Sequence, residues 1–291
     1  MCYNKLMQEK QFSKIINNGT INLYRGCTHG CIYCDSRSAC YGIMDFENII
    51  VKQNAIAMLE QELKSKRKKT VLHTGSMTDP YIHLEQKLQL TRQMLELIYK
   101  HGFGIKLITK SNLVLRDVDI LKKISNTTFA RVDITITTFD DELCKIIEPA
   151  TSITSERFSA IKTLIDNGID VCVWLCPILP FINDTAENVA DIVNKCAEVG
   201  VKRIIAFSTG VTLREGSREY FYKMLDKYFP GVKEKYQSAF GFNYICKSPN
   251  SKELWEVFTS LCNKHGINYN NKDNFSHGND LIFSNQFSFF D

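Results

Sequence analysis

The sequence predicts an α/β protein built on a parallel sheet, with a helical region appended toward its C-terminal end. Strand-like and helix-like segments alternate about six times between residues 21 and 207 with short connections, the pattern of βαβ units. The 291 residues, 44% apolar and 23% charged, suffice for a sizeable core and are ordinary for a globular chain. No linker, repeat or low-complexity stretch divides residues 21–210.

The expected elements follow from local periodicity. Residues 1–20 mix Lys, Glu, Gln and Asn and form an N-terminal segment without the apolar core of a signal peptide. Residues 21–24 read as a short strand. Residues 47–66 have helical spacing in Ile49, Ile50, Ala55, Ile56, Leu59 and Leu63. A strand over 70–74 precedes a helix over 84–100, with Leu88, Leu95 and Ile98 on one side. A strand over 105–109, a short helix over 118–124, an alternating strand over 130–138 and a helix over 154–167 come next. A buried-type strand over 171–176, a helix over 186–199 and a strand over 202–207 complete the core. Residues 211–291 form the appended region, with helices near 217–228 and 251–265.

Composition bounds the function. A net charge of +4 permits nucleic-acid binding without demanding it. Eleven cysteines suggest a reducing compartment with metal chemistry rather than a secreted disulfide scaffold. The longest apolar run, residues 171–182, is broken by Pro177 and Pro180 and is too short to span a bilayer. The expectation is a cytoplasmic protein with no membrane partner.

The chemistry is concentrated in residues 21–42. Cys27, Cys31 and Cys34 form a C-x3-C-x2-C motif. A cubane iron–sulfur cluster normally takes four protein thiolates, so three from one loop would leave one iron open. Gly26 and Gly30 let the backbone turn tightly, and Tyr33 would lie beside the cluster. A zinc knuckle is the alternative, with His29 or Cys40 as fourth ligand, and would make the chain a zinc-stabilised nucleic-acid-binding module without radical chemistry.

This stretch resembles the cluster loop of the radical S-adenosylmethionine (SAM) enzymes. Tyr24-Arg25-Gly26-Cys27 through Cys31-Ile32-Tyr33-Cys34 is similar, more narrowly, to the spore photoproduct lyase-like branch, also called DNA repair photolyase-like. The strings Thr-Asp-Pro-Tyr, Ile-Thr-Lys-Ser, Thr-Thr-Phe-Asp, Glu-Pro-Ala and Pro-Ile-Leu-Pro-Phe-Ile-Asn-Asp resemble that branch in the same order, so the resemblance spans residues 20–210. It implies a partial (β/α)6 barrel of the radical SAM type, open on one side, with the C-terminal helical extension outside it. It further implies a [4Fe–4S] cluster on Cys27, Cys31 and Cys34, with SAM on the fourth iron. Reductive cleavage of SAM to a 5′-deoxyadenosyl radical, hydrogen abstraction from substrate, and an electron donor such as flavodoxin or ferredoxin are also implied.

In such a barrel the chemistry belongs at the C-terminal ends of the strands. Thr78 and Asp79 follow the second strand and match a Ser-Asp pair that contacts SAM in the lyase. The alternative for Asp79 is an ordinary turn before Pro80. Lys110 ends the third strand and matches a SAM-binding lysine, against the alternative of a solvated cation. Thr137 matches a serine on the fourth strand, and Tyr33 would lie along the adenosine. Thr138, Asp140, Glu148-Pro149 and Arg157 follow that strand. Cys176-Pro177-Ile178-Leu179-Pro180 and Asn183-Asp184 follow the fifth, where they either pack an adenine or make a rigid turn with Asp184 as a helix N-cap.

One departure bears on the substrate. The lyase returns a hydrogen atom from a cysteine where this chain has Met77, which has no S–H to give. Cys176 or Cys144 could supply a thiol from another direction, although both also read as small buried hydrophobes. The substrate stays open among DNA, RNA, peptide and small molecule, with a nucleic acid or its derivative preferred. The basic run at residues 64–69 is expected on the opposite end of the barrel, complementing a helix C-terminus. Gln286-Phe287-Ser288-Phe289-Phe290 resembles the peptide by which bacterial repair and replication proteins dock on the sliding clamp. The preferred alternative is a tail packed on its own domain.

Overall fold

The computed structural model describes residues 7–43, 45–75, 77–207 and 209–279. Its strands are β1 (Met7–Lys10), β2 (Ile16–Asn17), β3 (Thr20–Ile21), β4 (Tyr24–Arg25), β5 (Ile49–Lys52), β6 (Val71–Thr74), β7 (Gly104–Thr109), β8 (Ala130–Thr135), β9 (Asp170–Trp174), β10 (Ile204–Ile205), β11 (Gly210–Thr212) and β12 (Ile245–Lys247). Its helices are α1 (Ala55–Ser65), α2 (Glu85–Leu88), α3 (Leu90–Lys100), α4 (Val118–Thr127), α5 (Asp141–Ile147), α6 (Thr154–Asp166), α7 (Ala186–Glu198), α8 (Ser217–Tyr228), α9 (Val232–Phe240), α10 (Ser251–His265) and α11 (Asn271–Ser276).

The main sheet runs β10-β9-β8-β7-β6-β3-β2. Every neighbouring pair from β3 to β10 is parallel, and only β2 pairs antiparallel, at the edge. This is the expected α/β arrangement, an open partial barrel of six parallel strands. Strand β8 is buried at every position, as a strand covered on both faces must be. The helices present apolar stripes inward. On α7, Val189, Ile192, Val193 and Cys196 recur at helical spacing, and α10, carrying Leu254, Phe258 and Cys262, packs against that helix.

Three expected elements differ in the structure. The first third of the expected helix over 47–66 is β5, which pairs with β1 and β4. Ile49, Ile50 and Val51 are β-branched and alternate in burial, and Asn54 at φ 55° stops a helix from running back into them. The strand expected over 21–24 is split between two sheets, with Ile21 on β6 and Tyr24–Arg25 on β5. The helix over 84–100 is likewise interrupted, at Gln89 with φ 51°. The hairpin β11–β12 and the helices α5, α9 and α11 have no counterpart in the sequence reading. The segment Gln286–Phe290 lies outside the described residues.

The basic run joins the end of α1 to the start of β6, at the N-terminal ends of the strands. There Lys64 pairs with Glu60 at 3.2 Å and Lys69 lies over Phe103. Residues 268–277 cover the open edge of the sheet. Asn268 bridges Arg203, and the Asn274 side chain donates to the carbonyls of Ile204 (3.0 Å) and Asn268 (3.1 Å). Two cations from inside the sheet, Lys106 on β7 and Arg131 on β8, donate to the carbonyls of Phe275 (2.7 Å) and Asn274 (2.5 Å). The Asn274 amide is therefore a clasp on an otherwise exposed sheet edge. Asn274→Ala should lower stability by about 1–3 kcal/mol, read as a shift of the urea midpoint with an unchanged slope.

Candidate active site

The loop carrying the three cysteines is fixed at both ends before it reaches them. Tyr24 on β4 donates its buried hydroxyl to Glu85. Gly26 has φ +88°, and a Cβ there would sit 2.6 Å from the Phe46 carbonyl, so only glycine lets the loop pass this close. That carbonyl accepts from Cys27 N at 3.1 Å. On the far side Ile32 N donates to Ile147 O at 3.0 Å, and Ala150 N donates to His29 O at 3.1 Å.

Cys27, Cys31 and Cys34 line one cavity of about 100 Å³ together with His29, Asp79 and Lys110. Burial pushes the Cys27 thiol up to about 12, with Asp79 and Cys34 adding to it, and pushes Cys31 well above the usual range. Ionised thiols in such a place require a compensating positive charge, which a bound metal centre supplies. Among the described residues no three His, Cys, Asp or Glu side chains are arranged to hold a single metal ion. A cubane does not ask for that convergence, because its thiolates bind separate irons. The donor set therefore fits a cluster held by three cysteines. Cys40 is exposed, and its sulfur accepts from Arg214 at 3.5 Å.

The Asp79 side chain is 9% exposed, and both its oxygens are occupied. Oδ1 accepts from Tyr81 N (2.8 Å) and Thr109 Oγ1 (2.7 Å), and Oδ2 accepts from Lys110 N (2.8 Å) and faces His29 Nδ1 at 3.4 Å. Burial alone would raise its carboxyl, but His29 and these donors outweigh it and hold the pKa at about 2. Thr78 donates its hydroxyl to Gly26 O at 2.6 Å, so it braces the cysteine loop from the β6 side. Gly75, between β6 and these residues, has φ +98°, and a Cβ there would lie 2.2 Å from Ile108 O.

Lys110 ends β7 with its Nζ 5.9 Å from the centre of the Tyr33 ring. Burial disfavours its charge, but Cys31 and Glu148 outweigh this and raise its pKa. Thr137 is fully buried, and its Oγ1 has no hydrogen-bond partner among the described residues. Its carbonyl holds Asn183 Nδ2 at 2.7 Å. Tyr33 is buried, donates its hydroxyl to Glu148, and lines a second, larger cavity of about 410 Å³. That cavity is bounded by Cys34, Met77, Cys176, Pro177, Phe207 and the hairpin residues Gly210–Thr212 and Ile245. Cys34, Ser36 and Met77 belong to both cavities, so the two adjoin.

The structure thus brings Cys27, Cys31, Cys34, Tyr33, Asp79 and Lys110 to one end of the sheet, with Thr78 and Thr137 behind them. Cys176 lines the larger cavity, whereas Cys144 is fully buried against Glu148 and Arg157. Sequence reasoning gave no site role to the hairpin wall, because short strands far along the chain carry no motif. His29 entered only as a zinc ligand, and its pairing with Asp79 is set by tertiary contact.

The chain belongs to the radical SAM superfamily, whose family model matches residues 21–193 of 291. Enzymes of that superfamily use a [4Fe–4S] cluster and SAM and need a reductant. The chain is similar to an uncharacterised protein of Mycobacterium tuberculosis, 28% identical over 230 residues that cover 76% of this chain and 66% of that one. A Methanocaldococcus jannaschii protein is 36% identical over 167 residues, covering 56% of this chain and 61% of its own. The chain thus spans just under two thirds of the length of these relatives. Among solved structures, spore photoproduct lyase complexed with dinucleoside spore photoproduct superposes with a TM-score of 0.66 at 14% identity, covering 90% of this chain and 80% of that one. That likeness is one of fold. No helix among the described residues is long and apolar enough to cross a membrane.

The depressed Asp79 pKa makes a stability prediction. A carboxyl whose pKa falls from 3.8 to about 2 on folding stabilises the fold above pH 3.8, and this contribution is lost as pH falls through 2. Relative to Asp79→Asn, the native chain should gain roughly 2 kcal/mol between pH 2 and pH 6 from this group. Parallel unfolding curves for the two proteins across that range would show the assignment to be wrong.

Proposed function

We propose that this enzyme binds its cluster through Cys27, Cys31 and Cys34 and acts on a nucleic acid or a derivative of one in the larger cavity. The observation that carries the reading is the junction of the two cavities at Cys34 and Met77. It sets a substrate-sized, largely apolar space directly against the cysteine loop. When bound, the cluster and SAM together supply a 5′-deoxyadenosyl radical that abstracts hydrogen from substrate.

The chain's own residues orient and enclose. Lys110 offers a cation to the SAM carboxylate, and Tyr33 offers a ring face to the adenosine. Thr137 Oγ1, buried without a partner, offers a hydrogen bond to a bound group. Asp79 and Thr78 line the cysteine cavity, where they would contact SAM, and also hold the loop and the end of β7. Met77, Pro177, Phe207 and Ile245 keep water and stray hydrogen donors from the space above the loop. Aromatic walls from Tyr33, Tyr41 and Phe207 suit a planar base. Cys176, pushed up to about 11 by burial, keeps its S–H at neutral pH and is the thiol available to that cavity. A flavodoxin or ferredoxin would supply the electron. Division into a segment 1–20, a core 21–210 and an extension 211–291 is part of the same proposal, with β11 and β12 of the extension walling the cavity.

Anaerobic purification tests the reading. A brown protein with about four irons per chain is expected, and with SAM and dithionite it should release 5′-deoxyadenosine. Cys27→Ala, Cys31→Ala and Cys34→Ala should each lose the iron, while Cys40→Ala keeps it. A colourless protein with about one zinc would favour the zinc module instead. Adding DNA, RNA and peptide pools separately identifies the substrate class by which one raises turnover. A second prediction concerns Lys110. Lys110→Ala should leave the iron content intact and weaken SAM binding about tenfold to a hundredfold, since one charge-assisted contact is lost. Unchanged affinity in equilibrium dialysis would remove Lys110 from the SAM site.

A further inference from the structure

Glu148 and Arg157 form an ion pair that neither the fold nor the cysteine motif explains. Both side chains are fully inaccessible to solvent. Arg157 is saturated, donating also to Ser152 O (2.7 Å), Thr135 O (2.9 Å) and Thr151 Oγ1 (2.5 Å). A pair buried this deeply is weak support for stability, because the desolvation of two charges offsets most of their attraction. Apolar side chains of similar volume would hold α5 to α6 as well. One oxygen of Glu148 faces Arg157, and the other accepts from the hydroxyl of Tyr33, 115 residues away in sequence.

We infer that Glu148 is a positioning residue for the SAM site, acting through Tyr33. This rests on the reading given under Proposed function. Tyr33 stands between Cys31 and Cys34, with its ring in the wall of the larger cavity. A phenylalanine would fill the same space without calling for a buried carboxylate. The hydroxyl has a use only if the plane and height of the ring must be fixed. The same stretch that carries Glu148 also fixes the loop backbone, through Ile147 O on Ile32 N and Ala150 N on His29 O. Pro149 closes against Gly30, where a Cβ would lie 3.2 Å from its Cγ. Backbone contacts set where the loop runs. The Arg157–Glu148–Tyr33 chain sets how one ring on it is turned. Glu148 touches no reacting atom in this account.

The test uses the anaerobically purified full chain. Tyr33→Phe removes the tether and leaves the Glu148–Arg157 pair whole. Iron content should stay at the wild-type value and the melting temperature should fall modestly, because Glu148 Oε1 loses its donor, while SAM affinity by equilibrium dialysis falls about tenfold. The change in the EPR spectrum of the reduced cluster on adding SAM should shrink in step. Glu148→Gln should weaken SAM binding to the same degree and also lower the melting temperature, because Arg157 loses its counter-charge. The double variant should bind SAM no worse than Glu148→Gln alone, since both changes break one tether. Wild-type affinity and an unaltered EPR response in Tyr33→Phe would overturn the inference, and so would losses that multiply in the double variant. If Glu148→Gln does not fold, Tyr33→Phe alone decides. A wild-type chain that takes up no iron or no SAM would instead overturn the reading beneath it.

Discussion

The site depends on one carboxylate, Asp79. Its two oxygens gather groups from three places: His29 on the cysteine loop, Tyr81 N in its own turn, and Thr109 with Lys110 N at the end of β7. That anchor adds to the contact of Lys110 with the Tyr33 ring and to its attraction to Cys31 and Glu148. Four contacts to one carboxylate offset a desolvation cost that would otherwise exclude it from the interior. Thr78 beside it adds the contact to Gly26 O. A short turn of the chain thus does for the cysteine loop what a disulfide does elsewhere, with no covalent bond.

Charge around the loop is arranged in layers. Nearest the cysteines stands Lys110, and behind it Glu148 and then Arg157. Each is buried enough that solvent screens it little, so the charge state of the loop is felt by all three. With Asp79 counted, two cations face two carboxylates, so the protein's own charges do not ionise the thiols and the compensating charge must come from what they bind. Among the described residues the wall of the larger cavity holds no cation. Arg214 near its rim is engaged by Asp35, Tyr41 and Tyr244.

Much of this was legible in the sequence, and the reasons are local. The C-x3-C-x2-C spacing and its glycines are short-range features, and a loop of that kind is written in adjacent residues. The strands 70–74, 105–109 and 171–176 were visible because β-branched runs are bounded by polar turns. The helices near 217–228 and 251–265 fall at Ser217–Tyr228 and Ser251–His265, where Phe221 and Leu225, and Leu254, Phe258 and Cys262, recur at helical spacing. The failure at residues 47–54 is equally physical: Ile49, Ile50 and Val51 satisfy a helical stripe when read with Ala55 and Leu59, and only pairing with β1 and β4 decides for a strand. Glu148 and Arg157 were noticed as residues following a strand. Their link to Tyr33 bridges 115 positions and has no signature in one dimension. The hairpin β11–β12 was invisible because each strand has three residues and its partner lies more than thirty residues away.

The clasp over the open sheet edge has a consequence for how the chain is made. Lys106 finds its carbonyl acceptor at Phe275, 169 residues later, and Arg131, already paired with Asp133 two residues on, adds the carbonyl of Asn274, 143 residues later. During synthesis from the N-terminus, the sheet therefore emerges with Lys106 still without the carbonyl that it meets at Phe275. It can settle only when the final stretch of the barrel leaves the ribosome. Until then the edge strand β10 is uncovered, and the cysteine loop, made more than two hundred residues earlier, has no completed fold behind it. The interval between the first cysteine and the closing helix is the period in which an assembling enzyme is most open to metal delivery, to oxygen and to pairing with another chain's edge.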